Sequence, residues 1–176
     1  MVVELCLVRF RTLVDEFFKA SYLDASAAVK LVLRATGSDH VRAYFDGRGS
    51  FHMTSLCMAE ALGVFKRKML RSELSRDRYF ESCYLLLNYL SSRIHIDDVQ
   101  ITDQTIFLKA VEIARRYELD LSDSLQLISV KEGKFRHYVQ ESKTLFITAD
   151  RSLAAAARAE KLRVWDCEQE PAPPPQ

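Results

Sequence analysis

The chain has 176 residues, the length of one ordinary domain able to bury roughly 70% of its unfolded surface. Its 48% apolar and 28% charged residues, with five Gly and four Pro, exclude a disordered, collagenous or disulfide-scaffold protein. Lys plus Arg number 25 and Asp plus Glu 24, so the net charge of +1 lacks the basic excess that would by itself announce a nucleic-acid binder.

Residues 2–19 place Val3, Leu7, Phe10, Val14 and Phe17 at three-to-four spacing, which predicts an amphipathic helix and a helical N-terminal extension over residues 1–20. SYLD at 21–24 predicts a short strand, AAVKLVLRA at 27–35 a helix, and the stretch from Ser38 to Gly47 a second short helix. FHMTS at 51–55 reads as a strand, and Thr54 or Ser55 can cap the helix that follows to residue 70. The next helix spans about Asp77 to Ser91, with Phe80, Cys83, Tyr84, Leu87 and Leu90 along one face. IHIDDVQI at 94–101 is a strand candidate, and Thr105 to Tyr117 is helical. After a break at LDL, Ser122 to Val130 starts another helix. TLFITAD at 144–150 is rich in strand formers, RSLAAAARAE at 151–160 is a helix, and LRVWD at 162–166 is a last strand. Residues 168–176 end in PAPPPQ, which lacks most backbone donors, and are expected to be a disordered tail.

Strands alternating with helices predict an α/β domain, a three-layer sandwich with a mostly parallel central sheet flanked by helices. The four cysteines, Cys6, Cys57, Cys83 and Cys167, show no CxxC and no zinc-spaced histidine, and read as reduced thiols of a cytoplasmic protein. Glu4 and Arg9 interrupt any secretory apolar run, and no stretch reaches the length of a membrane span, so a soluble protein without membrane association is expected.

Chemistry is expected at the carboxyl ends of the strands, where parallel sheets place their ligands. Two strands end in an acid there, Asp24 and Asp150. Alone, either acid serves equally well as a turn or cap residue; together, on central parallel strands, they can meet at one sheet edge. Glu60 lies one helical turn from Leu56 and from Val64 and shares a face with these two residues, both expected to be buried. Asp123 sits in the first turn of its helix, with Leu127 and Val130 one and two turns on, and Asp120 competes with it for a role. Two carboxylates 4 Å apart repel by about 4 kcal/mol at an effective dielectric near 20, so four gathered together call for a cation. Oxygen-only ligands select hard ions such as Mg²⁺ or Mn²⁺, and such a centre suits phosphodiester hydrolysis.

These acids stand in familiar surroundings. YLDAS at 22–26, TSLCMAE at 54–60, LSDSLQLIS at 121–129 and FITADRSLAAAA at 146–157 resemble, in order, the four acidic motifs of PIN-domain ribonucleases, most nearly the toxins of VapBC-type toxin–antitoxin pairs. The resemblance covers about residues 21–166 and implies a Rossmann-like, PIN-like nuclease domain over 21–167. It implies an endoribonuclease using Mg²⁺ or Mn²⁺, with Asp24 and Asp123 as leading metal ligands and Glu60 and Asp150 completing the metal and catalytic site. An RNA substrate, a cognate antitoxin and a homodimer come with the same likeness. Ser26 and Thr54 match small hydroxyl positions near the pocket, though both also serve as turn and cap residues. The chain departs from the family pattern in the ~20 residues before the first motif.

The alternative is a PIN-like module that binds RNA or protein without cutting; no motif acid has been lost to favour it. Phosphatase chemistry on another doubly wound fold is disfavoured, because no DxD follows the first strand and no GxxxxGK[ST] loop is present. The basic stretch from Lys66 to Arg78 is the best candidate for contact with an RNA backbone, although a solvated helix face has the same composition. Setting aside the four site acids, together with Glu168 and Glu170 near the tail, leaves 18 of the 24 acids against 25 cations, a more basic surface than the total suggests.

Overall fold

The computed structural model describes residues 20–47, 50–141 and 143–173. The expected N-terminal helix over 2–19 and Cys6 lie outside the described residues. Five strands form one sheet: β1 (Ala20–Leu23), β2 (Phe51–Met53), β3 (Ile94–Ile96), β4 (Thr144–Thr148) and β5 (Arg163–Asp166). Every pair is parallel, in the order β3-β2-β1-β4-β5. Every residue of β1, β2 and β4 is buried, as strands covered on both faces must be, which is why their sequences read as near-continuous apolar runs.

Eight helices are described: α1 (Ala25–Val32), α2 (Ser38–Asp46), α3 (Ser55–Leu70), α4 (Arg76–Ser92), α5 (Gln104–Tyr117), α6 (Leu121–Glu132), α7 (Arg136–Gln140) and α8 (Arg151–Ala159). Alternation along the strands divides the core in two. Leu23, Phe51, Met53, Leu145 and Ile147 face α1 to α4, whereas Tyr22 and Phe146 face α5, α6 and α8. The result is the three-layer sandwich that the alternation of elements predicts.

Short polar side chains start most of the helices. Asp24, Thr54, Ser75, Asp103 and Asp150 each accept a backbone N–H two or three residues on, a cap worth about 1 kcal/mol. Gly37 opens α2 with φ +78, and a side chain there would lie 2.1 Å from the Cys167 carbonyl oxygen, so both backbone angle and space demand glycine.

Three elements differ from the sequence-based expectation. The strand expected over 94–101 stops at Ile96, because Asp97 is fully buried and turns inward to accept the Tyr22 hydroxyl and the Lys134 N–H at 3.3 Å. Helix α7 carries too few residues to show a period and was not expected. The beginning of the expected tail is tied down: Glu168 pairs with buried Lys30 at 2.6 Å, and the Trp165 indole donates to the Glu170 carbonyl at 3.2 Å. Glu170 also pairs with Arg158 at 2.5 Å, so both glutamates neutralise cations of the folded body and cannot be discounted from its surface charge. Cys57 and Cys167 are buried free thiols and Cys83 is half-buried. No helix among the described residues is long and apolar enough to cross a membrane.

Candidate active site

The sheet reverses direction at β1: the chain moves from β1 to β2 and β3 on one side, then returns to β4 and β5 on the other. Such a switch point opens a crevice beyond the carboxyl ends of the two central strands. Leu23 and Ile147 are register partners, so the residues that follow them, Asp24 on β1 and Thr148 on β4, emerge side by side at that edge.

Asp24 is 4% exposed and saturated with donors. Its Oδ1 accepts from the Ser26 hydroxyl and the Ala27 N–H, each at 2.7 Å, and its Oδ2 accepts from the Thr148 hydroxyl at 2.6 Å. The lattice continues into the next loop. The Thr148 oxygen accepts the Asp150 N–H at 2.9 Å, and the Ser26 oxygen accepts the Ala149 N–H at 2.7 Å. Burial pushes the Asp24 carboxyl up to about 6 against the pull of these donors, with the charge of Asp150 adding to the rise.

Asp123 lies in the first turn of α6, where the helix dipole favours its charge. Even so its carboxyl is pushed up to about 7, first by burial and then by the charges of Glu60, Asp24, Asp150 and Asp120. The structure therefore brings Glu60, Asp24 and Asp150 within electrostatic reach of Asp123, with exposed Asp120 at the margin. Glu60 arrives from the second turn of α3, half-buried, and Asp150 arrives as the cap of α8, accepting the Leu153 N–H at 2.9 Å. Among the described residues, no three His, Cys, Asp or Glu side chains stand close enough to share one ion as they are. The acids form an electrostatic cluster rather than a closed ligand set. Its chemistry, carboxylate and hydroxyl oxygen without sulfur or imidazole, fits a hard divalent cation.

Thr148 is the supporting residue that sequence reasoning missed. It is fully buried, and the available signal was its position two residues before Asp150, on the strand face shared with the acid edge. Ser26, for which a turn role is the stronger expectation, bonds Asp24 and Ala149, whereas Thr54 serves as the expected cap of α3, accepting the Cys57 N–H at 3.1 Å and donating to the Cys57 sulfur.

Sheet order, switch-point crevice and gathered carboxylates define a doubly wound α/β protein with acids at its switch point. The PIN domain family matches residues 21–159, and the chain belongs to that family. PIN domains are in general nucleases and act on nucleic acid. Among solved structures the chain is similar to the crystal structure of PAE2754 from Pyrobaculum aerophilum, with a TM-score of 0.54 at 15% identity over 82% of each chain, a likeness of fold. No curated protein matches the chain by sequence.

Proposed function

We propose that this chain is a Mg²⁺- or Mn²⁺-dependent endoribonuclease and the toxin of a VapBC-type toxin–antitoxin pair. The observation that carries the reading is the Asp24 carboxylate, fixed at the carboxyl edge of the sheet by Ser26, Ala27 and Thr148, with Asp123 within reach of its charge and of those of Glu60 and Asp150. Negative charge is concentrated there beyond what the protein itself neutralises, which is the condition a divalent cation relieves. Asp24 and Asp123 would hold the ion, and Glu60 and Asp150 would complete its shell directly or through water. When bound, the metal supplies charge stabilisation at the phosphodiester and a water of lowered pKa.

The protein's own contribution is placement. Ser26 in the first turn of α1 and Thr148 at the end of β4 fix the Asp24 carboxylate from two sides, so one acid enters the site in a set orientation. Asp123 is held at the start of a helix whose following residues, Ser124 to Val130, are all buried, which anchors the second acid. In-line attack by water would leave a 5′-phosphate and a 3′-hydroxyl. The antitoxin would cover the acidic crevice or a neighbouring groove. A cavity of about 570 Å³ between α1, α2, α3 and α4, floored by Leu31 and Leu74 and rimmed by Arg34, Arg42 and Arg78, suits an amphipathic segment. A homodimer belongs to the same reading, and Phe80, Tyr84 and Leu87 on α4 offer an exposed apolar face.

Purified protein should cleave RNA with Mg²⁺ or Mn²⁺, stop with EDTA, and fall to background in Asp24→Ala and Asp123→Ala. Sequencing the RNA ends made by wild type and not by Asp24→Ala would identify the target. Full activity in both variants would sink the assignment. Absence of both cleavage and calorimetric Mn²⁺ binding in wild type would turn the reading to a non-cleaving binding module.

A further inference from the structure

Gly63 occupies the interior of α3, where alanine would favour the helix by about 1 kcal/mol. A side chain at this position would meet one atom within 4 Å outside the helix's own backbone, the Arg67 guanidinium Nη1, at 3.3 Å. An added methyl group would therefore crowd the Arg67 guanidinium. Side chains on a helix lean toward its N-terminus, and Glu60, Gly63 and Arg67 share one face, so the guanidinium lies over Gly63 on the side of Glu60. Glu60 is the acid whose charge acts most strongly on Asp123. From Glu60 to Arg67 the helix rises only about 10 Å.

Four other cations of the basic stretch are engaged. Lys68 pairs with Glu73 and Arg78 with Glu81, each at 2.6 Å. Lys66 lies 5.5 Å over the Tyr79 ring and Arg76 lies 5.9 Å over that of Phe80, while Arg71 is the C-cap of α3, a further turn away from Glu60. Arg67 is exposed and has no carboxylate partner among the described residues.

We infer that Arg67 is a phosphate-binding residue at the rim of the acidic crevice, and that Gly63 keeps its lane along α3 open, so that the RNA strand passes from the acids over this guanidinium. The inference rests on the nuclease reading for its substrate. An acidic crevice repels a polyanion, and a cation at its edge offsets that repulsion where the strand enters. A guanidinium presents paired donors that match two phosphate oxygens, which an ammonium does not.

Two measurements test this: anisotropy of a fluorescein-labelled single-stranded RNA in EDTA, and steady-state cleavage of the same RNA with Mn²⁺. Arg67→Ala should weaken binding by about tenfold, reduce the salt slope by about 1, and raise KM more than it lowers kcat. Calorimetric Mn²⁺ affinity should stay as in wild type, and Arg67→Lys should recover only part of the binding. Gly63→Ala should weaken RNA binding by less, and should have no further effect once Arg67 is alanine. Binding and salt slope unchanged in Arg67→Ala, or a Gly63→Ala effect that persists without Arg67, would overturn the assignment while leaving the nuclease reading intact. Arg67-dependent binding by a wild type that cleaves no RNA would do the reverse.

Discussion

The Thr148 hydroxyl donates to Asp24 Oδ2 at 2.6 Å across a separation of 124 residues, and so clasps the ends of the two central strands at the acidic crevice. The same oxygen accepts the Asp150 N–H, so one buried threonine sets the position of one acid and of the loop that carries another. Thr148→Val keeps the shape and removes both bonds. A buried carboxylate left short of a donor costs about 1–3 kcal/mol, which urea denaturation would read as a lower midpoint at pH 8. The bond to Thr148 lowers the Asp24 pKa, so its loss raises that pKa, and the acidic limb of the cleavage profile should move to higher pH.

The raised carboxyls predict the pH dependence of stability in the metal-free protein. Asp24 at about 6 and Asp123 at about 7 both lie above the ordinary Asp value of 3.8. The folded state therefore binds protons more tightly than the unfolded chain. Their stabilising contribution is complete below about pH 4 and is lost as pH rises through 6 and 7. Asp123→Asn removes one ionisation and should stabilise the metal-free protein at pH 8 by on the order of 1–2 kcal/mol, allowing for the solvent that still reaches this side chain. At pH 4.5 the gain should nearly vanish. An equal gain at both pH values would show that repulsion among these acids is not its source.

The clasp between Lys30 and Glu168 makes an asymmetric prediction. Lys30 is 4% exposed and donates to Glu168 and to the Thr36 carbonyl, each at 2.6 Å, while Glu168 keeps about a third of its side chain in water. Glu168→Gln leaves a buried ammonium without its counter-charge and should cost about 2–3 kcal/mol, after discount for solvent at the glutamate. Lys30→Met leaves only a carboxylate that water can reach, and should cost less. Chemical denaturation of the two variants side by side decides the order.

Two glycines should respond in opposite directions to the same substitution. Gly37→Ala places a methyl group 2.1 Å from the Cys167 carbonyl at a φ of +78 and should destabilise by about 2–4 kcal/mol. Gly63→Ala meets only the end of a flexible arginine at 3.3 Å and should stabilise α3 by about 0.5–1 kcal/mol. Thermal melts of the pair provide the comparison.

Much of the fold was legible because buried parallel strands are written as short apolar runs, and SYLD and TLFITAD end in the acids that mark their carboxyl edge. Asp123 could be placed from its spacing to Leu127 and Val130, which are buried, whereas Leu56 and Val64, the neighbours that marked the face of Glu60, are only half-buried. Thr148 offered only its position two residues before Asp150, and a threonine within a strand looks the same whether its hydroxyl meets a carboxylate or its methyl fills the core. Asp97 was likewise opaque: its carboxylate ends β3 because Tyr22 and the Lys134 backbone meet it, and those partners lie 75 and 37 residues away. The ordered start of the tail depends on Lys30, a partner 138 residues before Glu168. Local pattern reveals which segments are buried, and distant polar partners determine how they end.

The central place of β4 beside β1 also sets when the site can exist during synthesis. Thr148 and Asp150 leave the ribosome more than a hundred residues after Asp24, and until β4 docks, Asp24 lacks its clasp and the crevice lacks one wall. Domains whose central pairing is so distant in sequence assemble late. A nascent chain of this protein thus carries an unfinished crevice past the ribosomal RNA that surrounds it, and only a chain extended beyond β4 can close it.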